Sequence, residues 1–448
     1  MTQTLMIRNF KTLQLRLDDS RSARTLLLVM TVSLVVLALE SLLYPSQNNV
    51  PTGLFSLEIR GLNLRVPDVA ALGIFLVGLF SARAETPRLV PYFVTLGIAV
   101  LYVAITAAVN SADGMGLGTI FTQSRFLFYS LLFLPVIGTV SGVALLKVGN
   151  DALKWVAVPA FGTVLVWISG QSAFQVPGFP GSSYGPVGAD AGTIIGFLAL
   201  CAVGHAAMQG KVTLSTLWLL LPLIGGQRAS IVATTVIGLV GVAIILGRKD
   251  VLTEEKRRKI RRRSLGAAVL ALVGSSLLII AGSTMPAFQR LIGAVTATFT
   301  SEGKVASADT RPYLIQQSWE IIQQSPLIGH GFGKTVNFYD IYRMAFIETG
   351  SAHNFIADIL IRGGLVGGLI SLCLVIAAFS ATRPWGIDRL FWVVILMTLL
   401  GKAMLEPAFD KYRLVFLLAL ALTGVLISSR QKNKKQSILP GRASESAQ

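Results

Sequence analysis

The sequence predicts an all-α, polytopic membrane protein of about twelve transmembrane helices, with one folded helical loop between the ninth and tenth. Three observations lead there. Only 14% of the 448 residues are charged and 53% are hydrophobic, with a mean hydropathy of +0.67. A soluble globular chain carries about 25% charged residues. Apolar runs recur along the whole chain, and a helix needs about 20 mainly apolar residues to cross the hydrocarbon core. Lysine and arginine gather in alternate connections between those runs, the bias that marks cytoplasmic loops.

Residues 1–24 are basic and precede an apolar run, as in a signal peptide. No small-residue cleavage site follows Leu43, so the run reads as an uncleaved first span behind a cytoplasmic segment. The twelve spans fall at 25–44, 68–82, 89–109, 126–146, 153–170, 190–208, 212–226, 229–247, 264–282, 363–381, 388–405 and 412–428. The second and seventh are short. The seventh and eighth meet at Gly225-Gly226-Gln227-Arg228, so that pair also reads as one long broken helix. The layout is then nine spans over 25–282, a loop subdomain over 283–352, three spans over 353–428 and a polar cytoplasmic tail over 429–448.

With the N-terminus inside, roughly two thirds of the 39 lysines and arginines lie on the inner side, which places both termini there. This bias accounts for the net charge of +17 without nucleic acid as a partner. The run Lys256-Arg257-Arg258-Lys259-Ile260-Arg261-Arg262-Arg263 reads as a topology anchor beside anionic lipid. Cys201 and Cys373 both lie in apolar runs, which speaks against a structural disulfide, and no metal-type spacing exists.

The outer side holds one long connection, 283–352, and a loop of that length is functional or disordered. Its composition is not that of a disordered segment: it contains Trp319, Phe332, Phe338, Tyr339, Tyr342 and Phe346. Leu314, Ile315, Trp319 and Ile322 recur at helical spacing, with Pro312 in the first turn, which predicts a helix lying against the membrane surface. The stretch 172–190 is rich in glycine and proline and reads as an ordered, irregular loop over the same opening.

Three side chains stand out chemically. Arg228 sits at the outer junction of two apolar runs, where a guanidinium is costly and calls for an anionic partner. The bland alternative is a cap on the carbonyls of a helix break, or snorkelling to the interface. Arg311 follows Asp309 and Thr310, either of which can cap a helix start. Free N–H groups and a guanidinium fork pointing the same way suit a phosphate or diphosphate; pairing with Asp309 is the alternative. His353 lies where the long loop re-enters the membrane, and imidazole accepts a proton near neutral pH. Its alternative is a helix-start residue that hydrogen-bonds the loop.

The other two histidines read as structural. His205 is a packed helix residue. His330 lies in Gly329-His330-Gly331-Phe332-Gly333-Lys334-Thr335, which is similar to a nucleotide-binding loop but has Ile328 where the first glycine belongs. It reads instead as a turn that needs glycine backbone freedom. The first outer loop offers Glu58, with Asp68 at its end, and no acidic pair; hard cations want several oxygen ligands, so the chemistry reads as metal-independent. Glu406 and Asp410, at the outer end of the eleventh span, can orient a base or pair with Lys411 and Arg413, and pairing is favoured.

These positions carry a resemblance. Arg311-Pro312-Tyr313, Trp319 and Pro326-Leu327-Ile328-Gly329-His330-Gly331-Phe332-Gly333 follow the pattern R…W…P-x-x-G-x-G-x-G. His353-Asn354-Phe355, Leu360 and Gly363-Gly364-Leu365-Val366-Gly367 follow H-N…L…G-x-x-G. Gln227-Arg228-Ala229-Ser230 resembles an S-R-[GA] turn, with glutamine where serine is commoner. Together they resemble the O-antigen ligase and polysaccharide polymerase family, most specifically over about 215–370.

The resemblance implies a glycosyltransferase C-like fold in the bacterial inner membrane, with the site on the periplasmic face. It implies an undecaprenyl diphosphate-linked glycan as donor, a sugar hydroxyl on an acceptor glycan, no cofactor, and a flippase and chain-length regulator as further partners. By position, Arg228 and Arg311 would hold the diphosphate, with Gln227 and Asn354 also at the substrate, and His353 would activate the hydroxyl. Attack opposite the leaving group predicts inversion at the anomeric carbon. A polymerase is favoured over a ligase to lipid A core, since no feature is dedicated to such a core; a third member type glycosylates protein Ser or Thr. From a different class, a transporter of an anion or lipid-linked sugar also fits twelve spans, but no repeated halves are visible.

Overall fold

The computed structural model describes residues 21–43, 56–59, 62–80, 89–168, 189–209, 233, 236–247, 255, 258, 305–340, 344–349, 351–352, 354–380, 386–405 and 411–429. The chain is a helical membrane protein. Among the described residues, five helices are long and apolar enough to cross a bilayer, and three shorter apolar helices accompany them. The predicted spans at 212–226 and 264–282 lie outside the described residues.

The elements run α1 (Arg21–Leu43), β1 (Ser56–Ile59), β2 (Leu62–Arg65), α2 (Val66–Leu79), α3 (Val90–Ala112), α4 (Leu117–Leu132), α5 (Leu134–Thr139), α6 (Gly142–Ile168), α7 (Ala189–Met208) and α8 (Gly238–Gly247). They continue through α9 (Val305–Gln324), β3 (Val336–Asp340), β4 (Ala345–Thr349), α10 (Phe355–Ser380), α11 (Ile387–Ala403) and α12 (Tyr412–Ser429). The all-α prediction therefore needs two additions, the antiparallel hairpins β1–β2 and β3–β4.

Two boundaries move for identifiable reasons. The predicted span 126–146 is instead α4 and α5 together, Leu117–Thr139, with Pro135 in the first turn of α5. The next helix starts at Gly142, where the Ser141 hydroxyl accepts the Ala144 N–H at 3.0 Å, a helix cap. Lys147 and Lys154, read as a connection, lie inside α6; Lys154 pairs with Asp151 one turn back at 2.7 Å. The predicted span 363–381 begins at Phe355, because Asp358 and Arg362 are buried in α10 rather than lying in a loop.

Helices α7 and α12 form the centre. The span in α7 is 89% buried, packed by α1, α6, α11 and α12, whereas that in α3 is 22% buried. Val94, Ile98, Leu101, Ile105 and Val109 make an exposed apolar stripe on α3, the surface that lipid covers. Small residues let the central helices close up: Gly149 lies against Cys201, and Gly424 against the Trp392 indole, whose N–H donates to Gly142 O at 3.1 Å.

Helix α9 packs against β3 and α10. Phe338 and Ile322 are buried with Ala352 and Ile361 of the chain entering α10. The Gln317 amide acts as a strand partner for β3, donating to Tyr339 O at 3.1 Å and accepting the Tyr339 N–H at 2.6 Å. The predicted apolar face of α9 is corrected: Leu314, Ser318, Ile321 and Ile322 turn inward, and Ile315 and Trp319 are each 57% exposed.

Candidate active site

Of the five residues singled out from sequence, Gln227, Arg228 and His353 lie outside the described residues. Arg311 falls in α9, with its side chain outside them. Its expected setting needs a correction. Because α9 begins at Val305, Asp309, Thr310, Arg311 and Pro312 are interior, and the free N–H groups of the first turn precede them. Asn354 is fully described, as are the segments on either side of His353.

The two glycine-rich motifs meet. Helix α10 is broken at Gly364, with φ 55° and ψ −156°. A break strands main-chain donors and acceptors where no water reaches them, so they need partners inside the protein. The segment 326–331 supplies them. The N–H groups of His330 and Gly331 donate to Ile361 O at 2.7 Å and Arg362 O at 2.9 Å. Leu365 and Val366 donate back to Pro326 O at 2.8 Å and Leu327 O at 3.0 Å. From α3, the Tyr102 hydroxyl reaches Ile328 O at 2.7 Å and Gly363 O at 3.0 Å. Asn110 donates to His330 O and Phe332 O, and the Gln123 carbonyl accepts the Gly333 N–H at 2.7 Å.

Glycine is required here. Gly329, Gly331 and Gly333 have φ of 65°, 79° and 100°, and a side chain on Gly329 would run into the backbone of Arg362. The N–H groups of His330, Gly331 and Gly333 are spent on protein acceptors, so they are not presented to a phosphate as in a nucleotide loop. His330 itself bonds Ile321 O through Nε2 at 3.0 Å, a structural role. Gly329→Ala is expected to destabilise the protein by at least about 1–3 kcal/mol from the backbone angle alone. The melting temperature of the detergent-solubilised variant checks this.

The segment around His353 is held on both sides. The buried Asp358 carboxylate accepts the Ser351 hydroxyl and the Ala352 N–H, both at 2.6 Å. The Asn354 side chain caps α10, accepting the N–H groups of Ile356 at 3.0 Å and Ala357 at 3.1 Å. Its amide N–H donates to Met404 O at the end of α11, at 3.3 Å. The groups with which Asn354 was expected to meet substrate are thus engaged within the chain.

Beside this lies a buried network of charges that sequence reasoning missed. Asp68 at the start of α2 accepts Arg125 Nε at 3.1 Å and Nη2 at 3.0 Å, the Tyr129 hydroxyl at 2.6 Å and the Arg65 N–H at 2.6 Å. Glu40 in α1 accepts the Tyr412 hydroxyl at 2.6 Å and pairs with Arg413 at 3.4 Å. Asp190 pairs with Arg413 at 3.4 Å and Lys411 at 3.5 Å; Glu406 and Asp410, the partners expected for these cations, lie outside the described residues. The Tyr412 ring is ringed by the guanidinium groups of Arg65, Arg125 and Arg413 within 5.4–5.7 Å. Lys402, fully buried two residues before Met404, donates to the Thr193 hydroxyl of α7. The legible signal was a set of ionisable residues inside or at the ends of apolar runs, Glu40 above all.

Below the glycine loop, an apolar cleft of about 120 Å³ runs between α3, α4, α10, α11 and α12. Tyr102, Phe332, Phe355, Gly367, Leu374 and Phe379 are among the residues that line it.

In comparison with known proteins, residues 213–372 match the family model described as O-Antigen ligase. No curated protein matches the chain. The matched region begins before Gln227-Arg228 and takes in Arg311, the glycine loop docked on the break in α10, and His353-Asn354. It coincides with the stretch whose motifs carry the resemblance. Over residues 213–372 the chain is thus similar to the O-antigen ligase family, in the region that holds these motifs.

Proposed function

We propose that the protein is a metal-independent, inverting glycosyltransferase of the bacterial inner membrane. It moves a glycan from undecaprenyl diphosphate to a sugar hydroxyl on the periplasmic face. The observation that carries this reading is a convergence: the two glycine motifs dock on one another at the break in α10, and Phe332 and Phe355, which flank these segments, line the apolar cleft. The polyprenyl chain lies in the cleft, and the diphosphate sits above Phe332 and Phe355. Arg228 and Arg311 hold the diphosphate and stabilise the charge that grows on it as the glycosidic bond breaks. His353 takes the proton of the attacking hydroxyl. The carrier bond supplies the driving force, so no nucleotide is needed.

In this reading the chain has twelve spans and both termini in the cytoplasm, and 283–352 is periplasmic. The exposed Ile315 and Trp319 rest at the interface, where aromatic side chains favour the headgroup region. The product is a polymer of carrier-linked repeats; the similarity of residues 213–372 to O-antigen ligases supports a second reading, transfer to lipid A core. A flippase delivers the donor and a chain-length regulator sets the product length.

Incubating purified enzyme with carrier-linked repeat tests this directly. A ladder of lengths identifies a polymerase, and a mobility shift of added lipid A core identifies a ligase. Folded enzyme that produces neither refutes the reading. EDTA is expected to leave the rate unchanged; a loss restored by a divalent ion would overturn the metal-independent step.

A further inference from the structure

We propose that Asp358 is a positioning residue for His353, acting through Ser351 and Ala352, which precede it in the sequence. This rests on the role of His353 stated above and goes beyond it, because it names the group that sets the geometry of the base. Asp358 is 2% exposed, in the first turn of α10, where the free N–H groups of a helix favour a negative charge. A carboxylate at this depth is costly unless its oxygens are filled. Here one oxygen accepts the Ser351 hydroxyl and the other the Ala352 N–H, each at 2.6 Å. These are the short distances of charge-assisted hydrogen bonds.

On the other side, Asn354 is locked to the same helix. Its side chain caps Ile356 and Ala357, its carbonyl accepts the Asp358 N–H at 2.9 Å, and its amide reaches Met404 O. Ala352 and Asn354 are thus both tied to the first turn of α10, one through the Asp358 side chain and one through the cap. His353 is the residue between them in the sequence. A general base must hold hydrogen-bond distance to the hydroxyl it deprotonates, and a displacement of about 1 Å lowers rates about a hundredfold. Asp358 does not touch substrate in this account. It acts by pinning residues 351 and 352, and through them His353.

The test uses the full-length enzyme in lipid, with wild type, Asp358→Ala, Asp358→Asn, Ser351→Ala and His353→Ala compared for kcat and for KM of the carrier-linked donor. Asp358→Ala is expected to lower kcat by 10- to 100-fold with KM within about twofold, since donor contacts remain. Asp358→Asn keeps an acceptor for the Ala352 N–H and a second polar atom for Ser351, so it is expected to recover most of kcat. A protein that merely needed bulk at 358 would not show this split. Ser351→Ala, which removes one of the two bonds, is expected to lower kcat severalfold and carries the test if Asp358→Ala does not fold. Full kcat in folded Asp358→Ala, or in Ser351→Ala, would overturn the proposal, as would an Asp358→Asn enzyme as slow as Asp358→Ala. His353→Ala separates the two levels. If it transfers at the normal rate, the assigned base is wrong; if it is dead while Asp358→Ala is normal, only the positioning role fails.

Discussion

His353→Ala is expected to abolish glycan transfer while leaving the amount and membrane insertion of the protein unchanged. Loss of a general base lowers the rate by about 10²- to 10⁴-fold, and the substitution removes the one group proposed to accept the hydroxyl proton. The same reasoning gives a pH signature. A protonated imidazole cannot accept a proton, so wild-type kcat is expected to fall on the acid side. The acid limb should vanish from whatever residual rate His353→Ala retains. Arg228→Ala and Arg311→Ala are expected to be inactive too, but for a different reason: they remove charge stabilisation from the departing diphosphate and leave the proton-transfer step alone. Turnover of carrier-linked repeat by purified protein, measured from pH 5 to 9, separates the two classes. A His353→Ala enzyme with the wild-type profile would remove the histidine from the mechanism.

Asp68→Ala is expected to give the largest loss of stability, about 3–5 kcal/mol, the range for breaking one side of a buried ion pair. Asp68 serves four donors at once: two guanidinium nitrogens of Arg125, the Tyr129 hydroxyl and the Arg65 N–H. Arg125 is 3% exposed, so its charge would stay in the bundle without that carboxylate. The double variant Asp68→Ala, Arg125→Leu is expected to recover much of the loss, because replacing both ions by apolar groups removes the desolvation penalty along with the attraction. Thermal midpoints in one detergent form the double-mutant cycle. A single variant within a degree of wild type would show that this pair does not hold α2 to α4.

Hydropathy placed the central helices well. The predicted spans 190–208 and 412–428 correspond to Ala189–Met208 and Tyr412–Ser429, and 25–44 to Arg21–Leu43. Such helices are apolar on every side, so the run and the helix share their ends. The rule failed where polar residues are buried. Asp358 and Arg362 pushed the expected start of α10 to 363, and Lys147 and Lys154 split α6 from its first turns. The residues that ionise inside the bundle have partners on other helices, and composition along the chain cannot show a partner 57 or 223 residues away. The hairpin β3–β4 was legible only as alternating apolar residues, Phe338 inward and Tyr339 outward, within a loop too long to parse by period.

The sequence by itself determined the solvent, the helical class, the distribution of positive charge and the order of the short motifs. Each of these is a property of residue type along the chain, and the bilayer reads it directly through transfer free energy. Only the tertiary structure decided that the loop of Gly329, Gly331 and Gly333 exists to satisfy a broken helix at Gly364. It also decided that Asp358 holds Ala352 and that Asn354 caps α10, and that Glu40, Asp68 and Asp190 pair with arginines from distant helices. The reason is common to all three. A polar group removed from water must find its partner in space, and the helices that meet in the bundle bring together residues that sequence keeps hundreds of positions apart.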